Sequence, residues 1–219
     1  MAGASGKFIT FEGGEGSGKS TQARRLAARL QKAGIPTVLT REPGGSPFAE
    51  RVRSLLLDPA TPAHGALSEA LLFSAARADH LDVAIRPALS AGAWVICDRF
   101  MDSTRVYQGY AADVSADVLD ALERAVIGAT RPDLTLLIDM DVKAGLARAA
   151  ARRAAGTEKR EHPDRFEGRE LSFHETLRRG FLDLAKKDPR RCVVIDGSGS
   201  EDAVAERVYA AAERALGIA

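Results

Sequence analysis

Cysteine is scarce in this chain. Only Cys97 and Cys192 occur in its 219 residues, and each falls inside an apolar, strand-like run where a reduced thiol behaves as a small hydrophobe, so a disulfide framework is excluded. No run of about 18 apolar residues exists to cross a membrane, and Met1 to Lys7 lack the long apolar segment of a signal peptide. A cytoplasmic protein is expected. The four histidines, His64, His80, His162 and His174, are scattered without metal-ligand spacing, and no zinc site is expected. Excess charge of either sign is missing as well. The 31 basic and 30 acidic residues leave a net charge of +1, so no global field argues for nucleic acid or a membrane surface, and any anion binding must be local. Repeats are absent. Length and a 45% hydrophobic content suit a single α/β domain over residues 1–219 with a small mobile insertion.

What is present is organised around residues 8–21, FITFEGGEGSGKST. A short apolar run leads into a glycine-rich turn and then into Gln22 to Lys32, where Leu26 and Leu30 have helical spacing. Gly13 to Ser20 fits G-x-x-x-x-G-K-[ST], the loop whose backbone N–H groups wrap a nucleotide's phosphates. The chemistry explains the spacing. Glycines let successive amides converge without Cβ clashes, the following helix offers its positive end, and Lys19 reaches the β- and γ-phosphates. Gly13, Gly14, Glu15, Gly16, Ser17, Gly18, Lys19, Ser20 and Thr21 are the predicted ATP-binding residues, with the Ser20 hydroxyl as a Mg²⁺ ligand.

Five apolar runs recur between helical stretches: Phe8 to Glu12, Thr37 to Thr40, Trp94 to Asp98, Leu134 to Asp139 and Cys192 to Asp196. Near-continuous apolarity marks strands covered on both faces, which predicts a five-stranded parallel sheet flanked by helices, a three-layer fold. Such sheets carry ligands at the strands' carboxyl ends. Charged and turn residues gather there: Glu12, Arg41-Glu42-Pro43-Gly44-Gly45, Asp98-Arg99, Asp139-Met140-Asp141 and Asp196-Gly197. Helices are expected over Phe48 to Leu57, Leu67 to about Leu89, Val142 to Ala155, Leu171 to Ala185 and Ala203 to Leu216. In the second of these, Leu71, Leu72, Ala75, Ala78, Leu81 and Ile85 give a broad apolar face.

Three features admit two readings from the residues alone. Phe73 and Arg77, four apart, share a side of their helix; they are either a core phenylalanine with a solvated arginine or a pair serving a ligand. Asp98-Arg99 followed by residues 102–110 is either a polar loop or a strand-end site where a guanidinium clasps a phosphate at two points. The charged stretch 156–165 is either a solvated helix end or part of a lid closing arginines over transferring phosphates.

Taken together, EGGEGSGKST, REPGG, LLFSAARADH, CDRF with STRVYQGY, and VIDGSGS appear in an order that resembles the bacterial thymidylate kinases, P-loop nucleoside monophosphate kinases. The resemblance implies transfer of the γ-phosphate of ATP to dTMP with Mg²⁺, giving dTDP for dTTP synthesis. It implies that Phe73 stacks on thymine, Arg77 donates to a thymine carbonyl, Arg99 clamps the acceptor phosphate, and Asp98 orients Arg99 or acts through a metal-bound water. Tyr107 would crowd the sugar 2′ position, Gln108 would contact the base, Glu15 would sit near the sugar 3′-hydroxyl, and Glu42, Pro43, Ser103 and Thr104 would line the same pocket. Some relatives carry an arginine in the loop where this chain has Gly16. The bacterial version resembled here supplies that charge from a lid, approximately residues 146–168, with Arg152 first and Arg153 next as candidates and Arg148 toward adenine. A homodimer through the Leu67–Leu89 helix is also implied.

The acceptor's phosphate oxygen is already anionic, so the task is to align two anions and neutralise the charge shared between them. Two rivals remain from sequence: a kinase of the same fold for another acceptor, against which Phe73, Arg77 and Tyr107 speak, and a nucleotide-driven switch ATPase, against which a second arginine-bearing pocket speaks.

Overall fold

A computed structural model describes residues 6–155, 166 and 168–218. Its centre is β1 (Phe8–Glu12), buried at all five positions, flanked by β3 (Trp94–Asp98) and β4 (Leu134–Asp139), with β2 (Thr37–Arg41) and β5 (Cys192–Asp196) outermost. The order is β2-β3-β1-β4-β5 and every pairing is parallel. All five predicted strands are therefore found. The register aligns Phe11 and Arg41 with Asp98, and Asp139 with Asp196, so the polar residues that end these strands share one edge of the sheet. The chain diverges to either side of β1 there, which opens a crevice at that edge.

One face of the sheet is covered by α1 (Lys19–Lys32) and α9 (Glu201–Leu216) over a core of Ile9, Phe11, Leu26, Leu30, Ile138 and Val208. Across the sheet, Phe8, Leu81, Ile85, Val95, Phe100 and Ile127 form a second core. Side-chain caps start three of the helices. Ser46, Asp141 and Ser200 accept from Ala49, Ala144 and Ala203 N–H to cap α2 (Pro47–Leu57), α7 (Val142–Ala154) and α9. Helix α1 starts instead on Gly18, at φ 99° and with no side-chain cap, so its first amides remain available to an anion.

The long helix is present but not as a simple apolar face. It comprises α3 (Ala66–His80), a π-helical turn at Leu81–Ile85 and α4 (Arg86–Ser90). Leu81 and Ile85 are buried, whereas Leu71 is 50% exposed and Ala75 is exposed too; the inward side of α3 carries Glu69, Ser74, Arg77 and His80. Arg77 and His80 bond to Glu42, and Glu69 to Gln108, and the wider π turn resets which residues face the core. Residues 102–110, for which a polar loop was one of two readings, are helical: α5 (Met101–Thr104) and a π turn, Arg105–Tyr110, followed by α6 (Ala116–Val126) and, after α7, α8 (Leu171–Lys187). Of the predicted lid, residues 156–165 and 167 lie outside the described residues. No helix among the described residues is long and apolar enough to cross a membrane.

Candidate active site

The turn after β1 is shaped by glycine. Gly13, Gly16 and Gly18 have φ of 138°, 66° and 99°, a region that L side chains rarely enter. At Gly16 a Cβ would stand 1.8 Å from the Gly145 carbonyl oxygen of α7, so an arginine cannot be accommodated there, and the charge that some relatives carry in this loop must come from another element. Lys19 is 6% exposed. Its Nζ donates to Gly14 O at 2.6 Å and lies 3.4 Å from Ser17 Oγ. Beside it, Ser20 Oγ donates to Asp98 Oδ2, bringing a hydroxyl from β1's loop to a carboxylate from β3's end.

Burial, and then Arg99, pull the Lys19 ammonium down to about 8, against the opposing pull of Glu15, Asp98 and Glu12. A polyphosphate seated on the loop favours the charged form and raises it again. Titration calorimetry of ATP with Mg²⁺ in buffers of differing ionisation enthalpy is therefore expected to register uptake of about half a proton per site at about pH 8 and little at about pH 7. Equal heats in all buffers at the higher pH would remove the depressed lysine.

Across the cleft stands Arg99, the first residue after β3, itself at φ 69°. Its Nη2 meets Glu15 Oε1 at 2.5 Å, and its Nη1 lies 3.3 Å from both Gly13 O and Ser103 Oγ. Burial pushes the Glu15 carboxyl up, but Arg99, Lys19 and the Tyr107 hydroxyl, which donates to it at 3.1 Å, outweigh burial and bring it down to about 2. Burial likewise opposes the Arg99 charge, and Tyr107, Glu15, Glu12 and Asp98 overcome it, holding the guanidinium above its usual range. Asp98 was expected to orient Arg99 or to act through a metal-bound water; here its carboxylate meets Ser20 Oγ, and the carboxylate in contact with Arg99 is that of Glu15.

At the far end, Arg77 is 4% exposed and fully engaged on one side, with Nε on Glu42 Oε2 at 2.7 Å and Nη2 on Phe100 O and Thr104 Oγ1 at 3.1 Å. Gln108 Nε2 donates to Glu69 Oε2 at 3.0 Å. Phe73 is half-buried, its ring 6.4 Å from that of Phe166, which also meets Tyr107 at 5.5 Å. Both ends open on one cleft of about 770 Å³, lined by Glu15, Gly16, Gly18 to Thr21, Glu42, Pro43, Phe73, Arg77, Asp98, Arg99, Ser103, Thr104, Tyr107, Gln108 and Arg152. Gly13, Gly14 and Ser17 instead back the loop on its other side. Arg148 and Arg153 are on α7 but do not line the cleft.

Several contributors escaped the sequence. Glu12, buried at the end of β1, accepts from Phe100 N–H at 2.8 Å, Ser103 N–H at 3.2 Å and Ser103 Oγ at 2.6 Å. It pins the turn that carries Arg99. Burial and then the Asp102 carboxylate push its carboxyl up to about 7, against Arg99 and those donors. From below, Arg191 grips Asp102 with two contacts of 2.6 and 2.9 Å. Arg41, Arg53 and Phe166 also line the cleft, and Arg53 Nη1 donates to Pro43 O at 2.7 Å. A charged residue at the end of an apolar run was the available signal, and it marked Glu12 and Arg41 without their partners.

With this geometry in view, a family profile described as "Thymidylate kinase" matches residues 11–208. The chain is similar to the thymidylate kinase of Nitrobacter winogradskyi, 56% identical over 212 residues covering 96% of this chain and 90% of that protein. It is also similar to that of Bradyrhizobium sp. strain BTAi1, 54% identical over 211 residues covering 96% and 91%. Among solved structures, thymidylate kinase from Ehrlichia chaffeensis superposes with a TM-score of 0.74 at 38% identity, covering 94% of this chain and 98% of the other.

Proposed function

The chain belongs to the thymidylate kinase family, and from that premise we propose how its own residues divide the work. The enzyme transfers the γ-phosphate of ATP to dTMP, giving dTDP and ADP and so feeding dTTP synthesis. One observation carries the assignment of roles: Lys19 and Arg99, from loops after adjacent strands, line a single cleft that also takes in Phe73 and Arg77. ATP lies with its phosphates on the amides of residues 13–21, Lys19 on the β- and γ-phosphates. The dTMP phosphate faces Arg99, its thymine stacks on Phe73 and meets Arg77 and Gln108, and Tyr107 and Glu15 bracket the sugar. Arg152, from α7, joins the transferring phosphate. Arg153 and Arg148 remain secondary to it, because neither lines the cleft.

Ser20 and Asp98 fit Mg²⁺. Hydroxyl and carboxylate oxygens are hard donors, they are in contact here, and Mg²⁺ in phosphoryl-transfer sites needs only one or two protein ligands beside substrate phosphates. Held there, the ion would supply positive charge to the donor's phosphates. No general base is required for an acceptor that is already an anion, so positioning and charge neutralisation by Lys19, Arg99 and Arg152 carry the rate. A panel of nucleoside monophosphates, dUMP included, assayed with ATP and Mg²⁺ tests the reading; preferential turnover of another base, or ATP hydrolysis with no acceptor, would overturn it.

We further infer a cytoplasmic homodimer formed through α3. Leu67 and Leu71 are 49% and 50% exposed and lie one turn apart on its outer side, an apolar stripe of the kind that a symmetric partner covers. Leu71→Glu is expected to shift the sedimenting species from dimer to monomer. Unchanged sedimentation would place the contact elsewhere.

A further inference from the structure

Behind the thymine end of the cleft runs a buried chain of polar contacts. Thr40 Oγ1, near the end of β2, is 2.7 Å from His80 Nε2; His80 Nδ1 is 3.0 Å from Glu42 Oε1; and Glu42 Oε2 takes Arg77 Nε at 2.7 Å. His80 is fully buried, and the Glu42 and Arg77 side chains are each 4% exposed. Space for the imidazole is made by the second glycine of REPGG: a Cβ on Gly45 would stand 2.3 Å from His80 Nε2 and 2.6 Å from Thr40 Oγ1.

Arg77 and His80 are three residues apart on α3, hence neighbours on its inner side, and they grip opposite oxygens of one carboxylate. That arrangement has a geometric consequence. A guanidinium on a long, rotatable stem recognises a planar base only if its own plane is fixed. Glu42 fixes one side of that plane, but a carboxylate's terminal torsion is broad. An ionised carboxylate accepts only, so Nδ1 must be the donor, and His80 is the second point that stops the Glu42 carboxylate from turning. Without it Oε1 would be a buried acceptor with no donor, a situation that folded proteins avoid.

We propose that His80 is a positioning residue for acceptor recognition, locking the Glu42 carboxylate and through it the plane of the Arg77 guanidinium. The proposal rests on the assignment of Arg77 to the thymine base. Steady-state constants for His80→Leu, His80→Asn, Arg77→Ala and the His80→Leu/Arg77→Ala double variant test it, alongside each variant's melting temperature. The leucine variant is expected to raise KM for dTMP about tenfold, the scale of one lost buried hydrogen bond, with KM for ATP within about twofold. Asparagine, whose amide can still donate to Glu42, is expected to recover most of that loss. In the double variant the His80 change should add nothing, because its effect passes through Arg77. Additive losses in the double variant, or a lowered melting temperature with KM for dTMP unmoved, would overturn the proposal. If His80→Leu does not fold, Thr40→Val, which leaves the imidazole but strips its Nε2 partner, is expected to raise KM for dTMP by a smaller factor, and an unchanged value would be equally fatal. Should Arg77→Ala itself leave KM for dTMP unchanged, the fault lies in the base-contact assignment; a rise there without one in His80→Leu rejects only the positioning role.

Discussion

Lys19→Ala is expected to lower kcat by at least about a thousandfold, beyond the cost of one lost oxyanion donor because a full charge is removed. The reason lies in what surrounds Lys19. It is almost fully buried, and its ammonium already feels Glu15, Asp98 and Glu12. In that setting the lysine does two things at once: it offsets the carboxylates that line the cleft, and it presents a cation where charge builds between donor and acceptor. Alanine forfeits both. The remaining loop amides still bind triphosphate, so KM for ATP should rise far less than kcat falls, and equilibrium binding of ATP should remain measurable. Single-turnover and steady-state assays on the same variant separate the two quantities. A kcat within about tenfold of the parent enzyme would mean that the phosphates lie elsewhere.

Which parts of this site were readable beforehand follows from how each residue acquires its role. The strands were legible because a central parallel strand is covered on both faces and reads as an unbroken apolar run; β1 and β4 are the clearest cases. The phosphate loop was legible because its chemistry is local, eight residues whose spacing is fixed by glycine and one lysine. Glu12 and Ser103 are 91 positions apart, and Arg99 and Glu15 are 84 apart, so no local pattern records that these side chains meet. Helix α3 misled for a different reason. Counting apolar residues identifies the buried side only where burial is apolar, and here Arg77, His80 and Glu69 occupy the inside because they bond to Glu42 and Gln108. Leu67 and Leu71 were pushed outward, toward the surface assigned above to a partner subunit. The π turn at Leu81–Ile85 completes the inversion, shifting by one residue a periodicity that the sequence presents as continuous.

Arg99 is where removing one side chain should separate recognition from folding most cleanly. Arg99→Ala is expected to raise KM for dTMP at least about tenfold and to lower kcat/KM for dTMP by about a thousandfold or more, since a buried forked donor on phosphate contributes both binding and charge neutralisation. KM for ATP should change little, because the donor's phosphates rest on the loop of residues 13–21. The loss also frees Glu15, whose carboxyl is held down at about 2 chiefly by the Arg99 guanidinium against burial. A depressed carboxyl stabilises the folded state above its unfolded value, near 4.5, and that stabilisation fades as pH falls toward 2. In Arg99→Ala the contribution is smaller at neutral pH, so its melting temperature should lie below the parent's at about pH 7, with the gap narrowing in acid. Backbone strain supplies the control. Position 99 has φ 69°, a conformation costing a non-glycine residue on the order of 1 kcal/mol, so Arg99→Gly should melt above Arg99→Ala while remaining just as poor a catalyst. Arg99→Lys restores charge without the fork and should recover only part of the activity. If alanine or glycine at this position left KM for dTMP unmoved, the acceptor phosphate would have to be held by another guanidinium of the cleft wall, with Arg41 and Arg53 on the β2 side the first to test.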